Sequence, residues 1–304
     1  MTDTAAQAFE PLTPHAQLRK VEAVINPASG GVKAGATAEL ESILARFDVM
    51  ANVVEAKPGD IETALKAAVE AKPDLLIVLA GDGTIRAAGE LVGPNGPLLA
   101  PLPGGTMNML PKALYDTTDW AKALAECLAS GEVRDVGGGE VAGHPFYCAA
   151  IIGHPALWAE AREAIREGKP LEAWRRGQRA LRRAFTGRLR LILDDGGVEP
   201  AEAVAFLTPT ISKAMDDNVA LEVASMDPRG SLDAFRMAFN FVARDWRDDP
   251  AVNARPARRA TLVGRGPLPA ILDGEPIRLG RRVQVDFKPR AFRALAPKLV
   301  KGIA

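Results

Sequence analysis

The sequence predicts an α/β protein: a doubly wound domain of alternating strands and helices, followed by a mainly antiparallel β domain. Three observations carry this expectation. Between residues 20 and 131, short apolar runs alternate with stretches of helical apolar spacing, the pattern of strands feeding crossover helices. One of those runs, DLLIVLA at 74–80, is continuously apolar after its first residue, as a strand buried on both faces of a parallel sheet requires. After about Val133 the pattern changes to short β-like segments divided by turn residues.

In order, KVEAVIN (20–26) reads as a first strand and stops at the turn-rich PASGG (27–31). Apolar residues at helical spacing predict a helix over 34–47, and VMANVVEA (49–56) a second strand. Asp60 is a candidate N-cap, with Glu62 in the first turn of the next helix. The apolar run at 74–80 then leads into GDGT (81–84) and a helix beginning near Ile85. PLLAPLP (97–103) is a fourth strand, GGTMN (104–108) a turn, and helices follow at about 107–114 and 119–131.

Downstream, β-like segments recur at 134–153, 187–199, 201–211, 218–227, 257–264, 271–280 and 281–289. A helical insert is expected at about 156–185 and another helix at 231–245. The expected division is an α/β domain over 18–130 and a β-rich domain over 131–289. The tail 290–304 is either a last strand or a return to the first domain.

With 304 residues, two domains are the natural expectation. The chain is 47% hydrophobic and 25% charged with a formal net charge of +0, so bulk positive charge does not mark it as a nucleic-acid binder. Two cysteines, Cys127 and Cys148, are too few and too distant for a disulfide framework or a CxxC metal site, and fit a reducing compartment. The first residues, MTDTAAQAFEPLTPHAQ, have neither a basic start nor an apolar core, so they read as a short tail rather than a signal peptide. No run approaches the roughly 20 apolar residues of a spanning helix. A cytoplasmic protein, peripheral at most to the inner face of a membrane, is expected.

Ligands of doubly wound sheets bind beyond the carboxyl ends of the strands, and PASGG, GDGT and GGTMN all fall there. Each is compatible with a plain turn or a capped helix start. Each could also bring backbone amides to a phosphate: Gly30 and Gly31 beside Ser29, Gly81 and Gly83 beside Thr84, Gly104 and Gly105 beside Thr106 and Asn108. Three such segments on one sheet edge favour the second reading. Neither GxGxxG nor GxxxxGK[ST] is present. Asp82 is awkward in this setting, since a carboxylate repels phosphate; it makes sense facing magnesium or a substrate hydroxyl. Asp273-Gly274-Glu275 reads in isolation as a hairpin turn.

NPASGG at 26–31, GDGT at 81–84, PGGTMN at 103–108 and DGE at 273–275, in that order, resemble the diacylglycerol kinase catalytic-domain family. That family takes in soluble bacterial lipid kinases and is related to the sphingosine and ceramide kinases. The resemblance is strong over about 20–115 and resumes at DGE and the tail. It implies a nucleotide-binding domain, a β-sandwich lipid domain and an ATP site between them. By similarity, Asn26, Ser29, Gly30 and Gly31 line the nucleotide, and Gly81, Gly83, Thr84, Gly105, Thr106 and Asn108 hold its phosphates. Asp273 and Glu275 reach toward magnesium, phosphate and the acceptor hydroxyl. Asp82 and Asp273 are the two candidate bases, Asp273 the preferred one, and Glu275 and Asp82 the candidate magnesium ligands.

The chain departs from the family pattern at several points. Ala80-Gly81 stands for Gly-Gly, Arg86-Ala87 for Asn-Glu, Cys148 for Asn, and His154-Pro155 for an aromatic-Asp pair; a threonine usual near Val54-Glu55 is missing.

The stretch LEAWRRGQRALRRAF (171–185) places Leu171, Trp174, Gln178, Leu181 and Phe185 at helical spacing, with five arginines on the remaining surface. Such a helix suits an anionic membrane interface or, equally, a packed helix with a solvated basic face, so peripheral membrane contact through Trp174–Arg183 is one expectation. His15 lies in the tail, and His144 and His154, ten residues apart without nearby carboxylates, make weak metal candidates. The expected function is ATP- and magnesium-dependent phosphorylation of a lipid hydroxyl, diacylglycerol first and a sphingoid base or ceramide next. A catalytically silent lipid- or nucleotide-binding relative and an NAD-kinase-like enzyme are the alternatives. Nucleic acid is not an expected partner.

Overall fold

The computed structural model describes residues 18–153, 189–194, 196–212, 219–226 and 252–298. The chain divides into two units, Met1–Val136 with Arg290–Ala304, and Gly137–Pro289. The helices expected at 156–185, the basic 171–185 stretch among them, and at 231–245 lie outside the described residues, as do His15 and His154.

The first unit is a parallel α/β sheet. Its elements are β1 (Lys20–Ile25), α1 (Ala36–Leu44), β2 (Met50–Glu55), α2 (Ile61–Glu70), β3 (Leu75–Ala80), α3 (Asp82–Val92), β4 (Leu98–Pro103), α4 (Met109–Tyr115) and α5 (Trp120–Ser130). Strands pair in the order β2-β1-β3-β4, all parallel, with Val24 opposite both Val54 and Val78, and Val78 opposite Pro101. β3 and β4 are buried along their whole length, as their unbroken apolar sequences require, whereas the edge strand β2 is mostly exposed.

Two prolines in β4 would normally argue against an interior strand, because proline cannot donate to the ladder. Here the even positions face β3: Leu98 N–H donates to Asp74 O and Gly104 N–H to Ala80 O. Pro101 and Pro103 therefore turn their missing donors away from β3. On that far side β4 meets the last strand, β16 (Arg282–Ala296), at Leu99 opposite Ala294.

The helices bury one face each, at i, i+3, i+4 spacing. Leu40, Ile43 and Leu44 are buried in α1, Leu65 and Ala68 in α2, and Leu124, Cys127 and Leu128 in α5. Asp119 caps α5 by accepting the Lys122 amide at 3.0 Å. Asp60 occupies the N-cap of α2 without a side-chain cap bond. The helix expected from near Ile85 begins at Asp82 instead, so GDGT is the N-cap and first turn of α3 rather than a loop before it.

Among the described residues, the strands of the second unit pair antiparallel. One six-stranded sheet has the order β12 (Val252–Ala257), β11 (Leu221–Met226), β10 (Ala203–Leu207), β7 (Ala149–Gly153), β14 (Leu268–Leu272), β15 (Glu275–Leu279). The other layer runs from β16 through β13 (Arg259–Val263) and β8 (Leu189–Leu193) to β9 (Val198–Ala201). β5 (Glu132–Val141) and β6 (His144–Phe146) form a hairpin beside it. Alternate residues of both sheets, including Leu191, Phe206, Leu262, Leu272, Val285 and Phe287, enclose one apolar core. The division between the units falls within β5 and within β16.

Candidate functional site

The three glycine-rich segments meet at the carboxyl ends of β1, β3 and β4. Asn26 follows β1 and is held by its own amide, which donates to Leu79 O at 3.0 Å. Its side-chain oxygen accepts the Ala28 amide at 3.1 Å, and its Nδ2 reaches Thr84 Oγ1 at 3.3 Å. Ser29 Oγ accepts the amide of Gly81 at 3.0 Å, joining PASGG to GDGT. Gly31 N–H donates to Gly104 O at 2.8 Å, joining PASGG to GGTMN.

The backbones approach so closely that side chains are excluded. A Cβ on Gly31 would lie 2.9 Å from Gly105 O, and one on Gly105 would lie 2.7 Å from Gly81 Cα. GGTMN is fixed from within as well. Asn108, buried and left-handed at φ 51, accepts the Gly105 amide on Oδ1 at 2.7 Å and donates from Nδ2 to Gly105 O at 2.8 Å. The Asp82 carboxylate accepts the amides of Asn108 (2.9 Å, Oδ2) and Met109 (2.8 Å, Oδ1).

This arrangement can hold an anion. Within α3 the first helical bond is Ile85 N–H to Gly81 O, so the amides of Asp82, Gly83 and Thr84 have no carbonyl of their own helix to meet. They stand at the positive end of an 11-residue helix, beside exposed Gly30, Gly83 and Thr106. The glycine cradle and these amides fit the phosphates of a nucleotide. Among the described residues, no three His, Cys, Asp or Glu side chains gather as a metal site.

Asp273-Gly274 is the two-residue turn between β14 and β15, closed by Leu272 opposite Glu275. Both turn residues have positive φ, 48 and 92, the geometry that makes Asp-Gly a hairpin signal. The Asp273 side chain points back into its own unit. Oδ2 accepts the Tyr147 amide at 2.7 Å, and Oδ1 those of Cys148 and Ala149 at 2.8 and 2.9 Å. Glu275 is exposed at the start of β15.

Sequence reasoning did not anticipate the Tyr147-Cys148-Ala149 amides, because nothing in their composition marks them as a receptor for a carboxylate 124–126 residues away. Gly104, paired with Gly105 in the sequence reading, packs against the end of β3: a Cβ there would lie 2.8 Å from Ala80 N. Cys127 and Cys148 are buried, and burial pushes the Cys127 thiol up to about 12. Neither is a nucleophile in this state.

The fold and the loops define a class: an α/β domain with interlocked glycine-rich loops at its strand ends, followed by an antiparallel β sandwich. By sequence, residues 20–141 match the model of the diacylglycerol kinase catalytic domain. All three loops lie inside that match. No curated protein matches the chain by sequence.

Among solved structures, a diacylglycerol kinase from Bacillus anthracis strain Sterne superposes with a TM-score of 0.69 at 17% identity. Two proteins from the same strain, proposed to be diacylglycerol kinases, give 0.70 and 0.71 at 20% identity. Each comparison covers 94% of this chain and 99% of the other. At these identities the likeness shows the fold. No helix among the described residues is long and apolar enough to cross a membrane.

Proposed function

We propose that the protein is an ATP- and magnesium-dependent kinase that phosphorylates a lipid hydroxyl, diacylglycerol first and a sphingoid base or ceramide next. The observation that carries this reading is the convergence of PASGG, GDGT and GGTMN around the first turn of α3. The match of the same residues to a lipid kinase family supports it.

ATP, bound as its magnesium complex, supplies the phosphoryl group. The remaining work falls to this chain. Asn26, Ser29, Gly30 and Gly31 line the nucleotide; the amides of Gly83 and Thr84, with Gly81, Gly105 and Thr106, neutralise and orient its phosphates. Glu275 is assigned to the magnesium–phosphate complex. A carboxylate of the β14–β15 turn, Asp273 before Glu275, accepts the hydroxyl proton as the new O–P bond forms and ADP leaves. Base assistance of this kind is worth roughly 10²–10⁴-fold.

Transfer of labelled phosphate from ATP to a panel of lipids in mixed micelles tests the reading. Diacylglycerol should be labelled, and kcat for Asp273→Asn should fall by about 10² or more. Full activity in Asp273→Asn with loss in Glu275→Gln would move the base to Glu275. No labelled lipid at all would overturn the kinase assignment, and label appearing in NAD would replace the lipid with a soluble acceptor.

A further inference from the structure

Asp82 poses an electrostatic problem wherever a triphosphate is to bind, and its hydrogen bonds contain the solution. Each carboxylate oxygen accepts one backbone amide, Oδ2 from Asn108 and Oδ1 from Met109, at 2.9 and 2.8 Å. Those amides open α4, so the negative charge is turned onto the donors of a neighbouring helix end. Asn108 completes the grip from the other side. Its amide group pairs with both backbone polar groups of Gly105, and its left-handed backbone, which asparagine tolerates better than most residues, turns the chain tightly enough to allow it.

Asp82 thus holds the end of the 105–109 segment while Asn108 folds back on its beginning. Between them stand Thr106 and Met107, both exposed. Gly105 is pressed against Gly81 at the start of α3, so the position of this tip is transmitted to the amides at the head of that helix.

We propose that Asp82 and Asn108 are a positioning pair that sets the GGTMN loop for phosphate, and that Asp82 acts through this loop rather than as base or magnesium ligand. The catalytic consequence rests on the kinase reading above; the loop-holding role does not.

Hydrogen exchange on the full chain without ligand tests the loop-holding role directly. Asp82→Asn leaves one amide facing an NH₂ group, so exchange across 105–110 should rise at least about 10-fold, the equivalent of one charged hydrogen bond. Exchange in β3 should not change. Asn108→Ala should loosen the same segment, and the double variant should cost little more than either single one. If Asp82→Asn does not fold, Asn108→Ala carries both this arm and the next.

ATP titration, with magnesium and again in EDTA, tests the consequence. Both variants should weaken binding by the same factor in the two conditions, and the shape of the kcat–pH profile should not change. Unchanged exchange would overturn the proposal. So would weakening confined to magnesium, which marks a metal ligand, or intact ATP affinity with lost kcat and an altered acid limb, which marks a base. A wild-type chain that binds no ATP would sink the kinase reading instead, and exchange alone would then decide the loop-holding role.

Discussion

Gly104 has no room for a side chain. A Cβ would meet Ala80 N at 2.8 Å and Val32 Cγ2 at 2.9 Å, and the first of these is backbone that cannot swing aside. Gly104→Ala should therefore cost about 1–3 kcal/mol, read as a lowered denaturant midpoint. Gly266, where a Cβ would meet nothing within 4 Å, is the control; Gly266→Ala should stay within about 0.5 kcal/mol of the parent. At this scale the sequence revealed which residue types cluster but not what each one touches. Asp82 and Asp273 were legible as isolated carboxylates in glycine turns. Their partners are amides, which every residue carries, so composition could not point to them.

Elements were legible wherever one period dominated. β3, an unbroken apolar run, is buried at every position. The start of α3 was placed late, because Asp82, Gly83 and Thr84 are poor helix formers by propensity. Extended Gly81 at the N-cap and two amides on the Asp82 carboxylate make helical geometry affordable there.

Asp74, just before β3, does similar work at the other end of the sheet, accepting the amides of Arg19 and Lys20 at 2.9 Å. The Lys20 amide, then that of Arg19, holds its carboxyl below the usual 3.8. A depressed folded value stabilises the protein above the unfolded value and ceases to do so as pH falls through the folded one. Asp74→Asn should thus be less stable than the parent at pH 7, by about 0.5–1 kcal/mol given its exposure. The difference should shrink as pH falls below 3.8 and disappear once the folded carboxyl is protonated, as urea titrations at stepped pH would show.

At the scale of the whole molecule, the last described residues are built into the first unit. Leu295 O accepts from Tyr115 Oη at 3.4 Å, Pro297 O from Arg134 at 2.8 Å, and Arg290 pairs with Asp135 through two bonds of 2.9 and 2.8 Å. The apolar contribution should far outweigh the exposed ion pair. Phe292 is fully buried, so Phe292→Ala should cost about 3–5 kcal/mol, against less than about 1 for Arg290→Ala. Comparable losses in the two melting midpoints would contradict this ranking.

The sequence alone determined the α/β-then-β order of the chain, the burial of β3, and the position of three glycine segments at strand ends. These are local matters of periodicity and of residues without side chains, so they survive in one dimension. Tertiary structure decided the rest: that PASGG, GDGT and GGTMN interlock, that the β4 prolines turn away from β3 toward the side where β16 meets β4 at Leu99, and that Asp82 and Asp273 spend their oxygens on amides from distant segments. Those outcomes depend on which backbone groups meet across 26 to 126 residues of chain. The identity of the residue supplying an amide leaves no mark on the sequence that accepts it.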